Sequence, residues 1–414
     1  VVADNPIGII EFEHQDATAA GVAAKIEAAA ENASGGVGLR FETGTPTSIT
    51  ERMRIASDGK VGIGQTDPEA VVDIVGNSDS VPALKIGPNN SFGFKFFDRS
   101  TEGDLLIKRE VSGTDYDVLR FSRSDGSVFT PTSATNNLRL GSGAGAAIAS
   151  GGNYNTLIGD SAGGAITTGY QNVAVGYQAL DAEDTGGRSV AVGMQALSAQ
   201  NNDAANYNVG VGYQAGTAIT TGQYNTFIGG AAGDATTTGP KNTAVGYNSL
   251  GANTTGDFNN AFGFQALLTS TTGNNNAAFG GNALGLLTTG TNNVAMGRNA
   301  LYANTTASNN TAIGHQAGTA VTTGTLNTLV GSLAGDALTD GEANVAIGYG
   351  ALGAEDQADA NVAIGVNTLA NQNAGTSESY NTAVGHNAGR QVTTGLRNTI
   401  IGGLAADSVT EGNN

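Results

Sequence analysis

From Asn137 onward, small, apolar and polar positions return with a period near seventeen residues. The unit is Asn-x-Ala-Φ-Gly, with Φ a large apolar residue, as in "NTAVG" at 242–246 and "NVAIG" at 344–348. Anchored on the closing glycine, sixteen copies run from Gly141 to Gly402, and twelve of the fifteen spacings are 17. The other three spacings are 18, 19 and 20. Such regularity predicts stacked rungs, each burying its surface against its neighbours.

Each position of the unit has a physical reading. Φ is large and apolar in all sixteen copies, and two residues before it stands Val or Thr in thirteen. β-Branched residues favour extended chain, so the unit reads as a short strand with alternating faces. One face carries Val or Thr and Φ; the other carries Ala. Neither carries charge, so both are expected to be covered. The Ala face suits a thin interior, where the rung folds back on itself. A rung of this length has room for about two short strands and two turns, so it cannot also wrap its Φ face. The expected cover is another copy of the chain.

The remaining positions complete the rung. Three residues after the anchor Ala recurs in fourteen copies. Where the fourth residue is Leu (Leu180, Leu250, Leu301), the seventh is usually polar (Glu183, Asn253, Asn304). Where the fourth is Gly (Gly163, Gly216, Gly318), the seventh is apolar (Ile166, Ile219, Val321). This reads as one large plug per rung, supplied from either place; the rung from Gly280 departs from it, with both Leu284 and Leu287. Ten residues after the anchor Gly returns in thirteen copies, often as "TTG", and is expected to give a turn its positive φ. Asn opens fifteen of the sixteen strands, with Ser189 the exception, and predicts a stacked amide ladder. Sixteen rungs at about 4.8 Å make a rod of roughly 75 Å. The extra residues of the two longest rungs are expected in turns, near Asn201–Ala205 and Ala374–Ser379, because insertion into a strand would flip its faces.

The first 136 residues show period-two alternation instead. "IGIIEFEH", "VGLRFETG", "RMRIAS", "ALKIG", "FGFKFFDRS" and "DVLRFSR" are short strands separated by turn signals such as Asp58-Gly59. Ala17–Ala33 passes for a helix on propensity, while its place between two strands favours a strand. The predicted architecture is all-β: a module over 1–66, a second over 67–136, and the repeat shaft over 137–414.

Composition narrows the chemistry. The chain has 63 Gly, no Cys and no Trp, which removes disulfides and zinc–thiolate sites. A net charge of −18 argues against nucleic acid or an anionic membrane as partner, and no apolar stretch is long enough for membrane insertion. Residues 1–140 hold 13 Lys/Arg and 20 Asp/Glu; the longer remainder holds only 5 and 16. His315 and His386 follow anchor glycines, where other rungs carry Tyr177, Tyr213, Tyr247, Phe264 or Arg298, so the place accepts any exposed residue. An aromatic strip for sugar stacking is the functional alternative there. His14 lies in an acidic strand and reads as solvated. The carboxylates of Asp181–Asp184 and Ala354–Asp359 fall in the turn half of their rungs and read as solvated loops; neither a glycosidase pair nor a Ca²⁺ motif is evident. "GSGAGAAIASGG" at 141–152 mimics a phosphate loop but lacks the Gly-Lys-Ser/Thr that would follow. No catalytic, cofactor or metal site is expected, and the chain is read as a non-enzyme.

"NTAVGYNSLGANTTG" and "NVAIGYGALGAEDQ" resemble head repeats of trimeric autotransporter adhesins. That resemblance implies a left-handed parallel β-roll with three chains about one axis. The seventeen-residue form with "TTG" is similar to repeats of phage tail fibres, and "ERMRIASDGKVGIGQTDPEAVVDIVG" at 51–76 resembles a phrase recurrent in tail-fibre and tail-spike proteins. Together the resemblances cover most of 41–76 and all of 137–414. They imply a homotrimeric structural fibre of a virion, meeting other tail or fibre proteins and a host glycan or receptor. A bacterial surface adhesin is the alternative. An ice-binding solenoid and a polysaccharide-cleaving spike are further rivals; the first is weakened because the two Thr of "TTG" are adjacent and point opposite ways. The fibres so resembled often finish in a self-cleaving chaperone or a receptor-binding tip, and neither is evident. The last repeat stops at Asn414, where a further strand is due, and Val1 is not Met, so a longer polypeptide is expected.

Overall fold

The alternating runs of the first segment fold as strands because every second side chain can leave water on one face. In a computed structural model, residues 6–14, 21–31, 36–45, 47–74, 84–89, 92–99, 104–111, 114–121, 128–129, 136–375 and 378–412 are described. Every helix or strand among them is a strand, as the alternation predicts. The first sheet runs in chain order through β1 (Pro6–His14), β2 (Gly21–Ala30), β3 (Val37–Thr45), β4 (Ser48–Ile55), β5 (Val61–Ile63) and β6 (Val72–Ile74). Its pairs are antiparallel except β5 with β6, which is parallel. Over its described part, β2 (Gly21–Ala30), the alanine-rich run is a strand, as its place between two strands favours, and it is held on both sides by neighbours. The sheet continues through β6, beyond the split at 66. A second sheet holds β7 (Leu84–Asn89), β8 (Phe92–Arg99), β9 (Asp104–Val111), β10 (Thr114–Phe121) and β11 (Val128–Phe129), described by their backbone pairing. The chain divides into two compact units, Val1–Pro131 and Thr132–Asn414.

The second unit is a parallel β-solenoid. Its sixteen strands, β12 (Leu138–Leu140) to β27 (Thr399–Ile401), form one sheet in chain order. Equivalent residues pair throughout: Thr243 with Asn260, Ala244 with Ala261, Val245 with Phe262. Each strand is three residues long. From β13 on, its centre, usually Ala, is buried, and its two flanking residues face outward and stay partly exposed; in β12 the centre is the half-buried Arg139. The Ala face is therefore the interior.

The anchor glycines set the distance between rungs. Gly263 has φ of 137°, where L side chains are strained, and a Cβ there would lie 2.7 Å from the carbonyl carbon and oxygen of Gly280. The same approach recurs from Gly141 to Gly385. The glycine of "TTG", expected at positive φ, is not there in the seventeen-residue rungs. Its need is space: a Cβ on Gly256 would lie 2.4 Å from the Gly273 carbonyl oxygen. The left-handed turn falls two residues later and is taken by residues as unlike as Tyr224, Lys241 and Leu326, with φ of 60, 58 and 63°.

The plug exchange has a cause that sequence spacing alone did not show. The fourth residue after the anchor is also left-handed, with φ of 54° at Leu180 and 56° at Gly163. Gly suits that backbone; Leu costs on the order of 1–2 kcal/mol there, offset by burying a whole side chain for about 2 kcal/mol. Gly is required when the strand centre is large. Phe227 replaces the usual Ala, and Cβ atoms on Gly216 and Gly233, one rung apart, would meet its ring at 2.7 and 2.6 Å. Leu157 sits likewise between Gly145 and Gly163, and Leu329 between Gly318 and Gly335. The long rungs keep this lattice. Gln200 and Tyr207 hold their places in the interior and at the left-handed turn, so the extra residues fall between them, outside the strand. In the other long rung the same interval lies between Gln372 and Tyr380, and it includes residues 376–377, outside the described set.

Gly263→Ala should therefore destabilise the roll by roughly 2–4 kcal/mol, from a forbidden φ and a backbone clash. Gly281→Ala, whose Cβ would meet nothing nearer than the Phe264 carbonyl oxygen at 3.9 Å, should be close to neutral. Thermal unfolding of the two variants beside the parent checks this; equal midpoints would remove the glycine column from the explanation.

Candidate functional site

The outer face of the roll is the surface on which function is sought. Φ residues remain partly exposed along it: Phe279 at 37%, Ile313 at 39%, Met296 at 42%. Identical pairing stacks like side chains, and the Phe262 and Phe279 rings lie 4.8 Å apart at 6°. Two further columns flank the strand. One follows the anchor and exposes Tyr177, Tyr213, Tyr247, Phe264 and Tyr349. The other occupies the left-handed turn before Asn and exposes Tyr154, Tyr207, Tyr224 and Phe258, with cations interleaved. There the Arg188 guanidinium lies over the rings of Tyr170 and Tyr207, and the Lys241 ammonium over Phe258. This second column was missed in the sequence because its residue types vary.

The aromatic rings face along the columns. Tyr247 and Phe264 stack at 5.8 Å and 17°, and Tyr207 and Tyr224 at 5.5 Å and 9°. Where neighbours pair in this way, ring edges and hydroxyls, not ring faces, meet solvent, which leaves less surface for sugar stacking. His315 and His386 are exposed, as their position suggests, and the His386 ring nitrogen Nε2 lies 3.1 Å from Asn387 Nδ2. The side chain of His14 is outside the described residues.

The asparagine column forms, though not as a simple amide ladder. Asn225 Oδ1 accepts the backbone N–H of Asn242 at 2.9 Å, and Asn242 Nδ2 donates to the Gly256 carbonyl at 2.8 Å. Each side chain thus ties the next strand's entry to the end of its own rung. Direct amide-to-amide bonds are added at some steps, such as Asn293 to Asn276 at 3.1 Å. At Ser189 the missing amide is supplied by Gln200, which donates to the Ser189 hydroxyl at 3.0 Å and accepts from Asn208 at 2.9 Å.

The acidic clusters require a correction. Glu183 and Glu355 are not solvated; both are fully buried. Glu183 accepts from the Gly186 backbone N–H, Gln200 Nε2 and Asn206 Nδ2 at 2.8, 2.8 and 2.9 Å. Glu355 Oε1 accepts the backbone N–H groups of Asp356, Gln357 and Ala358. The extra length of the following rung is fastened to each carboxylate, through Asn206 in one case and the Ala374 N–H in the other. The signal was present: Glu then Gln at the seventh position, followed by a long rung, occurs at Glu183–Gln200 and again ten anchors later at Glu355–Gln372. The glycine pairs around Leu157 and Phe227 recur at the same interval around Leu329 and Ile400, with Ala406 in the last glycine's place.

The threonines of "TTG" are unequal. The first bonds the next rung's carbonyl, as Thr254 Oγ1 does to Thr271 at 3.1 Å, and the second is exposed. One exposed file is narrower than the flat two-file plane an ice-binding face needs. Among the described residues no group of three His, Asp or Glu is placed to hold a metal ion. No protein-family model matches the chain, and no curated protein or solved structure matches it either.

Burial pushes the carboxyls of Glu183 and Glu355 above the usual range, against the N–H donors that pull them down. Asp181, Asp234, Asp336 and Asp359 are raised by the same leading cause. A carboxyl with a raised folded pKa binds its proton more readily when folded. Its stabilising contribution is complete below the unfolded value, about 4, and is lost as pH rises through the folded value. Denaturation midpoints should therefore fall between about pH 4 and neutrality, and the double variant Glu183→Gln, Glu355→Gln should flatten that slope. Midpoints that rise over this interval would contradict the assignment.

Proposed function

We propose that the chain is the shaft segment of a homotrimeric, non-enzymatic fibre that holds a host-attachment tip away from its particle, as a phage tail fibre does. The observation that carries this reading is the uncovered apolar stripe outside a closed interior. Each rung fills its own inside completely, yet leaves Φ partly exposed on the same side in every repeat. A stripe of this kind on a lone chain would be an association or aggregation surface.

The magnitude favours association without making it excessive. Eight of the sixteen Φ side chains are 36% or more exposed and the other eight less; at about 2 kcal/mol for a fully buried side chain, the unrealised burial is on the order of 5–10 kcal/mol per chain. The rigid-body cost of association is about 4–15 kcal/mol. The stripe alone is marginal, so the aromatic columns on either side have to contribute to a tight trimer. In this reading the particle is a virion, and other fibre proteins meet the ends of the shaft. Host glycan contact is left to exposed turn residues outside these columns, such as the second Thr of "TTG".

Changing Val245 and Ile313 together to Asp places charge within the stripe while leaving the interior untouched. Light scattering should give a three-chain mass for the parent and a one-chain mass for the variant, with the β circular dichroism signal kept. A parent protein that is monomeric with an ordered roll would overturn the proposal.

A further inference from the structure

The N-terminal sheet gathers most of its apolar residues on one face, although the exposed Ile9 lies on the other, paired with Glu27. Its register aligns Ile10, Ile26, Phe41, Met53, Ile63 and Ile74 in one row across all six strands. A second row on the same face runs Ala28, Leu39, Ile55, Val61 and Val72. The opposite face carries the charges and closes on itself. Lys25 pairs with Glu27 and Glu42 at 2.6 and 3.2 Å, and Glu51 with Arg54 and Arg40 at 2.6 and 3.7 Å. These charged side chains are only 5–22% exposed. On the apolar side Ile10, Phe12 and Ile63 keep 60, 54 and 39% of their surface. Ile26, Phe41 and Met53 in the middle of the sheet are half-buried, as the paired charges are, so the open apolar surface lies mainly on β1, β5 and β6, where Val72 also keeps 55% of its surface.

We propose that the apolar face of this sheet is a second association surface, covered by the same face of other copies of the chain. Neither row itself contains a charged or hydrogen-bonding side chain, and the polar pair beside them, Arg52 Nε donating to Thr43 Oγ1 at 3.3 Å, is bonded within the sheet, so a polar or charged partner gains little there. A matching apolar face is the complement, and every copy of the chain carries one. The size of the face argues the same way. Six strands at about 4.8 Å and two rows of side chains cover roughly 400 Å², about half of the ~800 Å² per partner in a stable complex of separate proteins. A foreign partner would be held weakly. A copy already joined along the roll meets the face at an effective concentration near millimolar, where a small apolar face suffices. The inference therefore rests on the association of the roll proposed above, and it adds that the N-terminal sheets are held together as well.

The absence of cysteine from the chain makes the test direct. Full-length single variants Ile26→Cys, Met53→Cys, Glu11→Cys and Val245→Cys are each treated with a short bis-maleimide and run on denaturing gels. Ile26→Cys and Met53→Cys, both in the apolar row, should give chain-to-chain products. Glu11→Cys, on the charged face, should not, and Val245→Cys reports separately on the roll. Products from Val245→Cys but from neither apolar-row variant would overturn this inference and leave the roll association standing. Products from the apolar-row variants but not from Val245→Cys would overturn the roll association, and with it the tethering on which a face of this size depends. Equal products from Glu11→Cys would mark the linking as unspecific and overturn the inference.

Discussion

The roll depends on how closely one backbone can lie on the next. At the anchor glycines the carbonyl of the following rung occupies the place a Cβ would take, and the chain turns at a φ that side chains avoid. Once that separation is fixed, the strand residues pair one to one and like stacks on like. The interior is then thin enough for Ala at the strand centre and for one larger plug. Asn is favoured where strand meets turn because its short amide reaches both the next strand's N–H and its own rung's closing carbonyl, and at Ser189 the amide comes from Gln200 instead. The fold is a consequence of spacing before it is one of hydrophobicity.

Much of this was legible in the sequence, for a physical reason. A solenoid repeats its environment, so the same residue type must recur at the same interval. Sixteen samples of each position expose the strand, its two faces and the interior side. The places that were misread are those where environment and residue type part company. The left-handed turn accepts Tyr224, Lys241 and Leu326 alike, because a neighbouring rung holds the backbone whatever the side chain, and so leaves no compositional trace. The "TTG" glycine was misassigned because crowding and positive φ select the same residue. Glu183 and Glu355 were placed in water because acidic residues in a turn usually are; here backbone N–H groups and amides replace the solvent.

The two units solve one problem in different ways. The roll closes an interior of its own and presents a stripe. The N-terminal sheet, as far as its side chains are described, buries little beyond Ala29 and Ala30; it ties the charges of one face into ion pairs and leaves part of the other apolar and open. Charges that lie flat on a sheet in pairs are a modest source of stability, so the exposed rows are where further stability remains to be gained. What the described parts of the two units share is extended, partly exposed apolar surface.

The glycine pairs also constrain how such a chain can vary. Phe227 fits because Gly216 and Gly233, in two successive rungs, both lack a side chain. Exchanging Ala for Phe at another strand centre, or Leu for one of these glycines, creates a clash that only simultaneous changes elsewhere relieve. Single point changes at these places pass through defective intermediates. A block copied or exchanged whole carries its glycines, its large residue and its carboxylate together and suffers no such defect. The ordered set does recur, Leu157 to Phe227 and again Leu329 to Ile400 with Ala406 in the last glycine's place, the pattern that copying by blocks would leave.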